Sequence, residues 1–367
     1  MTEAGPGLTL RRMPYDDADW GRVVNAHADA EVYHGPEWLS YLGASQGAEP
    51  VVAQVLEGDQ LRGHFVGAIV RRWGLRVLGS PLSGWGTQVM GFLIDDDLDR
   101  RRALEAARTF AYRDLGCAHI ELGDRKIGAT DVAGTPFGLV PGETLVVDLT
   151  GSESDVLGQM HPRTRTYARR AAKTGLRAEV ATGAAFADEY YDQLLDVFHS
   201  SGLVPTYGRE RVRQLIEALE PSGQVVMVRL RAADGTPVAT TIGIGRNERA
   251  VMWGAAFYRD HASLHPVEPL QWEAMRAWRE RGIAKYDLSG NFPSKAKFGR
   301  IVEPLHRVHH SRYPILEHGR TAVRSLFYAR QRLAGRRFRD RQPQPDPQPV
   351  PEAVTPMPGR SPGERPS

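Results

Sequence analysis

Two thirteen-residue segments of this chain align without a gap, 166 positions apart: YRDLGCAHIELGD starting at Tyr112 and WRERGIAKYDLSG starting at Trp278. Each reads as a helix end, a glycine that stops it in the left-handed region, and a short strand. Gly116 matches Gly282, and Glu121 matches Asp287. The elements upstream agree in order. In the first half Val51–Glu57 and Gly63–Val70 alternate like strands, Arg76–Leu78 and Val89–Ile94 follow, and a helix over Asp99–Leu115 leads to the strand Ala118–Leu122. In the second half Val225–Arg231 turns through Asp234-Gly235 into Val238–Gly245, then Ala250–Phe257. A helix over Pro269–Arg281 leads to Ala284–Leu288. Asp17–Gly43 and Phe186–Leu219 read as the helices before each hairpin. Agreement on both sides of the matched unit predicts a duplication. The expected fold class is α/β (α+β): two tandem domains, 8–150 and 151–316, each a mostly antiparallel mixed sheet flanked by helices, meeting near Val147–Met160.

Charge separates the rest of the chain from this body. Residues 318–339 hold seven arginines and no acid, with Val323, Leu326, Phe327, Arg330 and Leu333 near helical spacing, so a basic amphipathic helix is predicted there. Residues 340–367 are rich in proline and almost free of large apolar side chains, the composition of a disordered tail. The net charge of +3 therefore hides a body, residues 1–317, with 37 basic and 40 acidic groups. Cys117 is the one cysteine, which excludes an intrachain disulfide and a cysteine-based zinc site and suits a reducing compartment. No run approaches the roughly 18 apolar residues of a membrane span, and Met1–Leu10 lacks a leader's apolar stretch. The expected location is cytoplasmic, with the basic helix offering a peripheral hold on the inner face of a membrane.

Familiar catalytic signatures are absent: no GxSxG elbow, no HExxH, no P-loop and no GxGxxG after a strand. His306, His309 and His310 cluster with Glu303 near a strand but read as strand histidines, and no metal is expected. Two stretches carry more information. Arg163, Arg165, Arg169, Arg170, Lys173 and Arg177 fall within fifteen residues, with no acid between Asp155 and Glu179. On a helix Arg165, Arg169 and Lys173 share a face, a stripe suited to a phosphodiester or pyrophosphate; the alternative is a solvated basic face. After the strand ending at Leu288, the loop Ser289–Arg300 presents Lys295, Lys297 and Arg300, placed to bind phosphate or an oxyanion. Asp287 alternates with Leu288, so it faces either solvent or a neighbouring strand. Among the aromatics, Trp253, Phe257 and Trp272 fit core spacing, whereas Tyr207 and Tyr258 sit where they can reach a cleft. Trp38, Tyr41 and the loop Ser80–Gly86 line a groove or simply pack.

The tandem repeat, the central RTRTYARRAAKTGLRAEV (residues 163–180) and the ending YDLSGN…SKAKFGR (residues 286–300) together resemble the FemABX-like, or BioF2-like, branch of the GNAT acyltransferase superfamily, over about residues 8–316. In that family a "yDf/yDl-x-G" strand is followed by "FK-x-x-FG". Here Ser294 replaces the first aromatic, while Lys295, Phe298 and Gly299 are kept. PEWL at 36–39 and Pro269-Leu270-Gln271-Trp272 also look like the family.

The resemblance implies transfer of an acyl group to an amine. Its best-known members move an aminoacyl group from charged tRNA onto a peptidoglycan precursor, and others act on peptide-like metabolites. The expectation is therefore an aminoacyltransferase with charged tRNA as donor, no cofactor, and an amine acceptor such as a phosphate-bearing cell-wall precursor. Lys295, Tyr258 and Asp287 are the expected catalytic residues. Arg163, Arg165, Arg169, Tyr207, Lys297 and Trp38 are the expected substrate-binding ones. An acetyl-CoA-dependent N-acetyltransferase is the first alternative. It is set back because the usual pyrophosphate loop, Q/R-x-x-G-x-G/A, is missing after Phe257. A non-catalytic protein docking on RNA or membrane through the basic helix is the second.

Overall fold

Both repeat units close on their glycines. Gly116 and Gly282 have φ of 61° and 81°. After Gly282 the helix ends in a Schellman arrangement, with Gly282 N donating to Arg279 O at 3.0 Å and Ile283 N to Trp278 O at 3.1 Å. Before Gly116 the last turn widens into a π-helical turn over Phe110–Asp114, so Cys117 N reaches back to Ala111 O at 2.8 Å. The computed structural model describes residues 7–170, 173, 175–200 and 203–316. The helix and tail predicted at 318–339 and 340–367 lie outside the described residues.

Seven strands up to residue 140 belong to a first sheet: β1 (Leu8–Met13), β2 (Glu49–Glu57), β3 (Gln60–Arg72), β4 (Leu75–Ser80), β5 (Gly91–Ile94), β6 (His119–Gly123) and β7 (Gly138–Val140). The next seven build a second sheet: β8 (Glu143–Asp148), β9 (Arg177–Ala181), β10 (Val225–Arg231), β11 (Pro237–Arg246), β12 (Arg249–Phe257), β13 (Lys285–Asp287) and β14 (Ile301–Pro304). The last strand, β15 (Arg307–Ser311), returns to the first. Helices α1 (Asp17–Asn25) and α2 (Pro36–Gln46) precede β2, and α3 (Arg100–Thr109) precedes β6. Then come α4 (Ala129–Val132), α5 (Glu153–Gln159) and α6 (Pro162–Arg170). Helices α7 (Phe186–Ser200) and α8 (Arg209–Leu219) precede β10, and α9 (Val267–Glu280) precedes β13. A unit β-α-α-β-β-β-α-β thus occurs twice, with β5 inserted before the last helix in the first copy. All pairings are antiparallel except β4 with β6 and β12 with β13, the strands on either side of each repeat helix. The described residues contain no helix long and apolar enough to cross a membrane.

The sheets do not part at residue 150. Their orders are β1-β2-β3-β4-β6-β15-β7 and β14-β8-β13-β12-β11-β10-β9. Strand β8, before the expected boundary, pairs with β13 of the second sheet, and β15, from the far end of the chain, pairs with β6 of the first. The expected division into 8–150 and 151–316 is corrected accordingly: the halves exchange a strand, because each sheet is completed by the strand that follows the other half's edge.

Apolar burial follows the same plan. One cluster lies between the first sheet and α3, with Phe65, Leu78, Phe110 and Ile120; its counterpart under α9 contains Val147, Leu270, Trp278 and Tyr286. A third is shared by the halves, where α2 meets α8 and Trp20, Trp38, Tyr41, Tyr190, Leu215 and Ile216 pack together. Burying that many large side chains at one seam, at roughly 1.5–3 kcal/mol each, makes the halves one folding body.

Candidate active site

Strands β12 and β13 run side by side only from Arg249↔Lys285 to Val251↔Asp287. Beyond Val251, β12 continues to Phe257 without that neighbour, so a central strand is left partly open at Met252–Ala255. The register with β11 shifts at the same place: Gly243 faces Met252 and Ile242 faces Gly254, leaving Trp253 as the extra residue of a β-bulge. A bulge re-aims the side chain it carries. Trp253 points into a cleft of about 440 Å³ built from both halves, with Thr87 and Gln88 from the first and Tyr207, Arg211, Ser289 and Arg307 from later segments.

The walls are held by specific bonds. Tyr207 Oη and Tyr190 Oη are 2.8 Å apart, and burial pushes the Tyr207 phenol up to about 12. Tyr190 lies against Gly254, where no side chain would fit. Arg211 spans the seam, donating from Nε to Tyr41 Oη at 2.9 Å and from NH2 to Trp85 O at 2.5 Å. Gly86 has φ of 71°, and a Cβ there would fall 3.2 Å from Trp253 Nε1. That indole nitrogen is buried and has no hydrogen-bond partner in the structure, which leaves a donor unspent at the bulge.

Beneath the cleft lies Asp287, fully buried. Its Oδ1 accepts from Gln88 Nε2 (3.0 Å), Thr144 Oγ1 (2.5 Å) and Ser289 N (2.7 Å). Its Oδ2 stands 3.2 Å from Arg125 NH2 and 3.5 Å from Arg249 NH1. Arg125 also pairs with Glu31, and Arg249 with Glu303, which Lys285 approaches at 3.4 Å. Three acids and three bases from both halves thus interlock in the seam. The arginine pairing holds the Glu31 and Glu303 carboxyls below the usual range against burial, which acts in the opposite direction. Asp287 is therefore shut off from solvent and is linked to the cleft through Gln88, Ser289 and, by way of Thr144 Oγ1, the Gly290 amide at 2.9 Å. Ser289 itself has φ of 62°, an uncommon conformation for a residue other than glycine.

Lys295 folds back under the same loop. Its Nζ donates to Leu288 O at 2.6 Å and Ser289 O at 2.8 Å, and burial lowers its ammonium to about 8, with Asp287 opposing the shift. The other expected residues do not gather here. Lys297 pairs with the buried Glu268 at 2.8 Å, in the first turn of α9. Helix α6 buries Thr164 and Ala168, with Arg163 and Arg169 exposed and Arg165 half-buried. Arg163 Nε donates to Tyr167 Oη at 3.0 Å, and the Tyr167 ring stacks on His265 at 3.9 Å. Tyr258 leads into a short 3-10 helix over Arg259–Leu264. Burial, with Asp192, Glu189 and Asp196 nearby, raises its phenol. None of these lines the cleft. Trp38 is a correction: it is fully buried in the shared core, donates from Nε1 to Thr87 Oγ1 at 3.2 Å, and supports the cleft wall from behind.

Sequence reasoning missed Gln88, Arg211 and Gln271. Gln271 Nε2 donates to Thr241 Oγ1 (3.2 Å), while its Oε1 accepts from Tyr286 Oη (3.0 Å), tying α9 to β11 and β13, the strands on either side of the open one. Its place in the Pro269–Trp272 helix start was the available signal. Gln88 and Arg211 carried none, since their roles come from contacts far apart in sequence. Among the described residues no group of three or more His, Cys, Asp or Glu side chains could hold a metal ion. His309 stacks on His119, while His310 meets Tyr112 Oη at 2.7 Å, so these histidines do not converge.

Residues 160–296 match the family described as Acetyltransferase (GNAT) domain. Among solved structures, that of FemX is similar at 12% identity, covering 82% of this chain and 97% of that one, with a TM-score of 0.66. A tandem GNAT protein from the clavulanic acid biosynthesis pathway is similar at 14% identity, covering 84% and 99%, with a TM-score of 0.51. A conserved protein of unknown function from Bacteroides thetaiotaomicron is similar at 12% identity, covering 82% and 99%, with a TM-score of 0.54. No curated protein sequence matches the chain. At these identities the structural likeness concerns the fold, while the family match covers the half that carries the bulged strand, the cleft loop and Lys295. The chain is an acyltransferase with a GNAT domain at residues 160–296, and its fold is similar to those of FemX and the tandem GNAT protein.

Proposed function

We propose that the chain forms amide bonds by moving an aminoacyl group from charged tRNA onto the amine of a peptide-like acceptor, a peptidoglycan precursor being the class that the family resemblance favours. The observation that carries this reading is the approach to α9. Acyl-CoA-binding members of the superfamily cradle a pyrophosphate on a glycine-rich loop at this helix start. Here the loop Tyr258–Pro266 contains no glycine and is wound into a 3-10 helix. The buried Glu268 carboxylate occupies the first turn of α9, where a pyrophosphate gains most from the helix N-terminus. Glu268 and its partner Lys297, 2.8 Å away, thus already form an ion pair of the chain's own at that turn, which disfavours CoA. An aminoacyl ester needs no such cradle and can be held by its polynucleotide instead.

Aminolysis of an activated ester needs a neutral amine beside the carbonyl, donors for the tetrahedral oxyanion and an exit for one proton. The side of β12 beyond Val251 has no strand partner among the described residues, and with the unspent Trp253 Nε1 it offers donors to an oxyanion. In this scheme Lys295 holds the Ser289 carbonyl and so the cleft loop, and Asp287 acts through Ser289 and Gln88 as a positioning residue. Tyr207 lines the acceptor path. Arg163, Arg165 and Arg169 contact donor phosphates, and Tyr258 and Lys297 flank the entrance at α9. The test is donor choice: the protein is incubated with an amine acceptor and either radiolabelled aminoacyl-tRNA or radiolabelled acetyl-CoA. Label transfer that RNase abolishes is expected. Transfer from acetyl-CoA that survives RNase overturns the reading.

A further inference from the structure

The end of the first sheet farthest from the cleft carries a surface that neither the fold nor the transfer reaction uses. The β3–β4 hairpin turns through Trp73 and Gly74, with φ of 49° and 80°, a type I′ geometry. The first seat of that turn favours asparagine, aspartate or glycine, and a bulky side chain there is a conformational outlier. Trp73 nonetheless occupies it and is 82% exposed, so it contributes little burial in return. Arg71 and Arg72 before it are exposed, and among the described residues neither is paired with an acid.

A second segment, far away in sequence, meets this hairpin. Ala118 N donates to Arg76 O at 2.8 Å and Arg312 N to Ala118 O at 2.9 Å, so Arg76, Ala118 and Arg312 form one row across β4, β6 and the end of β15. Two strand spacings, about 10 Å, therefore separate the hairpin from Tyr313 and Ile315, which are 50% and 76% exposed. The Arg312 guanidinium lies 5.7 Å from the centre of the Tyr313 ring. From Leu316 the chain passes directly into the stretch whose residues 318–339 hold seven arginines and no acid.

We propose that this sheet end docks on an anionic lipid bilayer, with Trp73 and Ile315 entering the interface and Arg71, Arg72 and Arg312 against the headgroups. Exposed tryptophan and tyrosine beside arginines match the belt of a membrane–water interface. An RNA surface would share the arginines and the aromatic rings but has no use for an exposed isoleucine, which cannot stack on a base. Strand β4 runs from this end to the loop that lines the cleft, so docking holds the cleft about 20 Å from the bilayer. The proposal stands whichever acyl donor is used.

The experiment is co-sedimentation of the full chain with vesicles of phosphatidylcholine and phosphatidylglycerol (about 7:3), against phosphatidylcholine alone. Partition onto the anionic vesicles only is expected. R71Q/R72Q is expected to lower the partition about 25-fold, at roughly fivefold per arginine. W73N, which places the residue type that an I′ turn prefers and so keeps the hairpin, is expected to lower it severalfold while transfer to a soluble acceptor stays unchanged. Absence of partition by the full chain overturns the proposal. So does wild-type partition by both variants, which assigns binding to residues beyond 316. A W73N protein that loses tRNA binding and keeps vesicle binding marks an RNA surface and overturns it as well.

Discussion

Asp287→Asn separates a structural from a chemical role at the repeat strand. The substitution keeps the size and the Oδ1 acceptor that Gln88, Thr144 and Ser289 use, but removes the charge that faces Arg125 at 3.2 Å and Arg249 at 3.5 Å. At an effective dielectric constant of 20 those two contacts amount to roughly 10 kcal/mol of gross attraction, most of it offset by the cost of burying the charges. What the variant loses is the compensation of two buried guanidiniums, and removing one partner of such a group costs about 3–5 kcal/mol. For a body of this size that corresponds to a drop in Tm of about 5–8 °C, together with a lower urea midpoint at unchanged slope. Arg249→Met on top of Asp287→Asn restores charge balance in the seam, so the double variant is expected to recover part of the loss. Transfer activity, measured below the variant's Tm, is expected to fall by about tenfold, because the Ser289 loop loosens. An Asp287→Asn protein as stable as the wild type but without measurable transfer would refute the reasoning and make Asp287 a proton-transfer group.

Two further outcomes follow from the same geometry. Lys295→Met removes the ammonium that holds Leu288 O and Ser289 O, and a fall in kcat of at least about tenfold is expected. Because burial lowers this ammonium to about 8, wild-type activity should decline as pH rises through about 8, and the variant should lack that limb. The sign for stability is opposite: the penalty for burying the charged form is present below pH 8 and is relieved as pH rises toward the ordinary lysine value, so denaturation midpoints should gain less between pH 8 and 10 in the variant. Gly254→Ala drives a methyl group into Tyr190 Oη and should cost both stability and transfer. Tyr190→Phe, which removes that oxygen, should rescue part of the damage, and strictly additive effects in the double variant would show that the contact is not the cause.

The repeat was legible because its signal is local. A glycine forced to positive φ at a helix end, followed by a strand, leaves the same pattern wherever it occurs, and Gly116 and Gly282 both carry it. The domain boundary was not legible, since ETLVVD at 143–148 and RVHHS at 307–311 announce strands without saying which sheet they complete. Of the two surroundings expected for Asp287, solvent or a neighbouring strand, it has the second, with Thr144 of β8 and Arg249 of β12 against its carboxylate. Strand β13 lies between β12 and β8, and Tyr286 and Asp287 on its two faces are both buried, while Lys285 at its start keeps part of its side chain in water. Trp38 looked like a groove residue because helix α2 starts beside a loop, but α2 packs on α8 from the other half, a contact no periodicity within 36–46 could reveal. Tyr207, in the turn before α8, and Ser289, after the strand that ends at Asp287, both line the cleft, and turn residues next to regular elements are readable in a sequence. Gln88 and Arg125, which complete the site from 199 and 162 positions upstream of Asp287, have no motif at all.

The exchange of strands also decides how the site can open. Hinge motion between two domains needs a seam that parts, with few bonds crossing it. Here β8 is hydrogen-bonded into the second sheet, β15 into the first, and the Glu31–Arg125–Asp287–Arg249–Glu303 chain crosses the seam under the cleft. Swinging the halves apart would break two ladders and expose several paired charges at once, far more than a substrate's binding energy supplies. The rims of the cleft are the loop with Gly84 and Gly86, which Arg211 ties at Trp85 O, the segment of Tyr207, which Tyr190 holds, and the Ser289 loop, which Asp287 and Lys295 hold. Each contributes side chains to the cleft or holds one that does. A seam that does not part keeps the open edge of β12 fixed, which is the preorganisation that oxyanion stabilisation requires, while the side chains of the rims shape the space left for an acceptor.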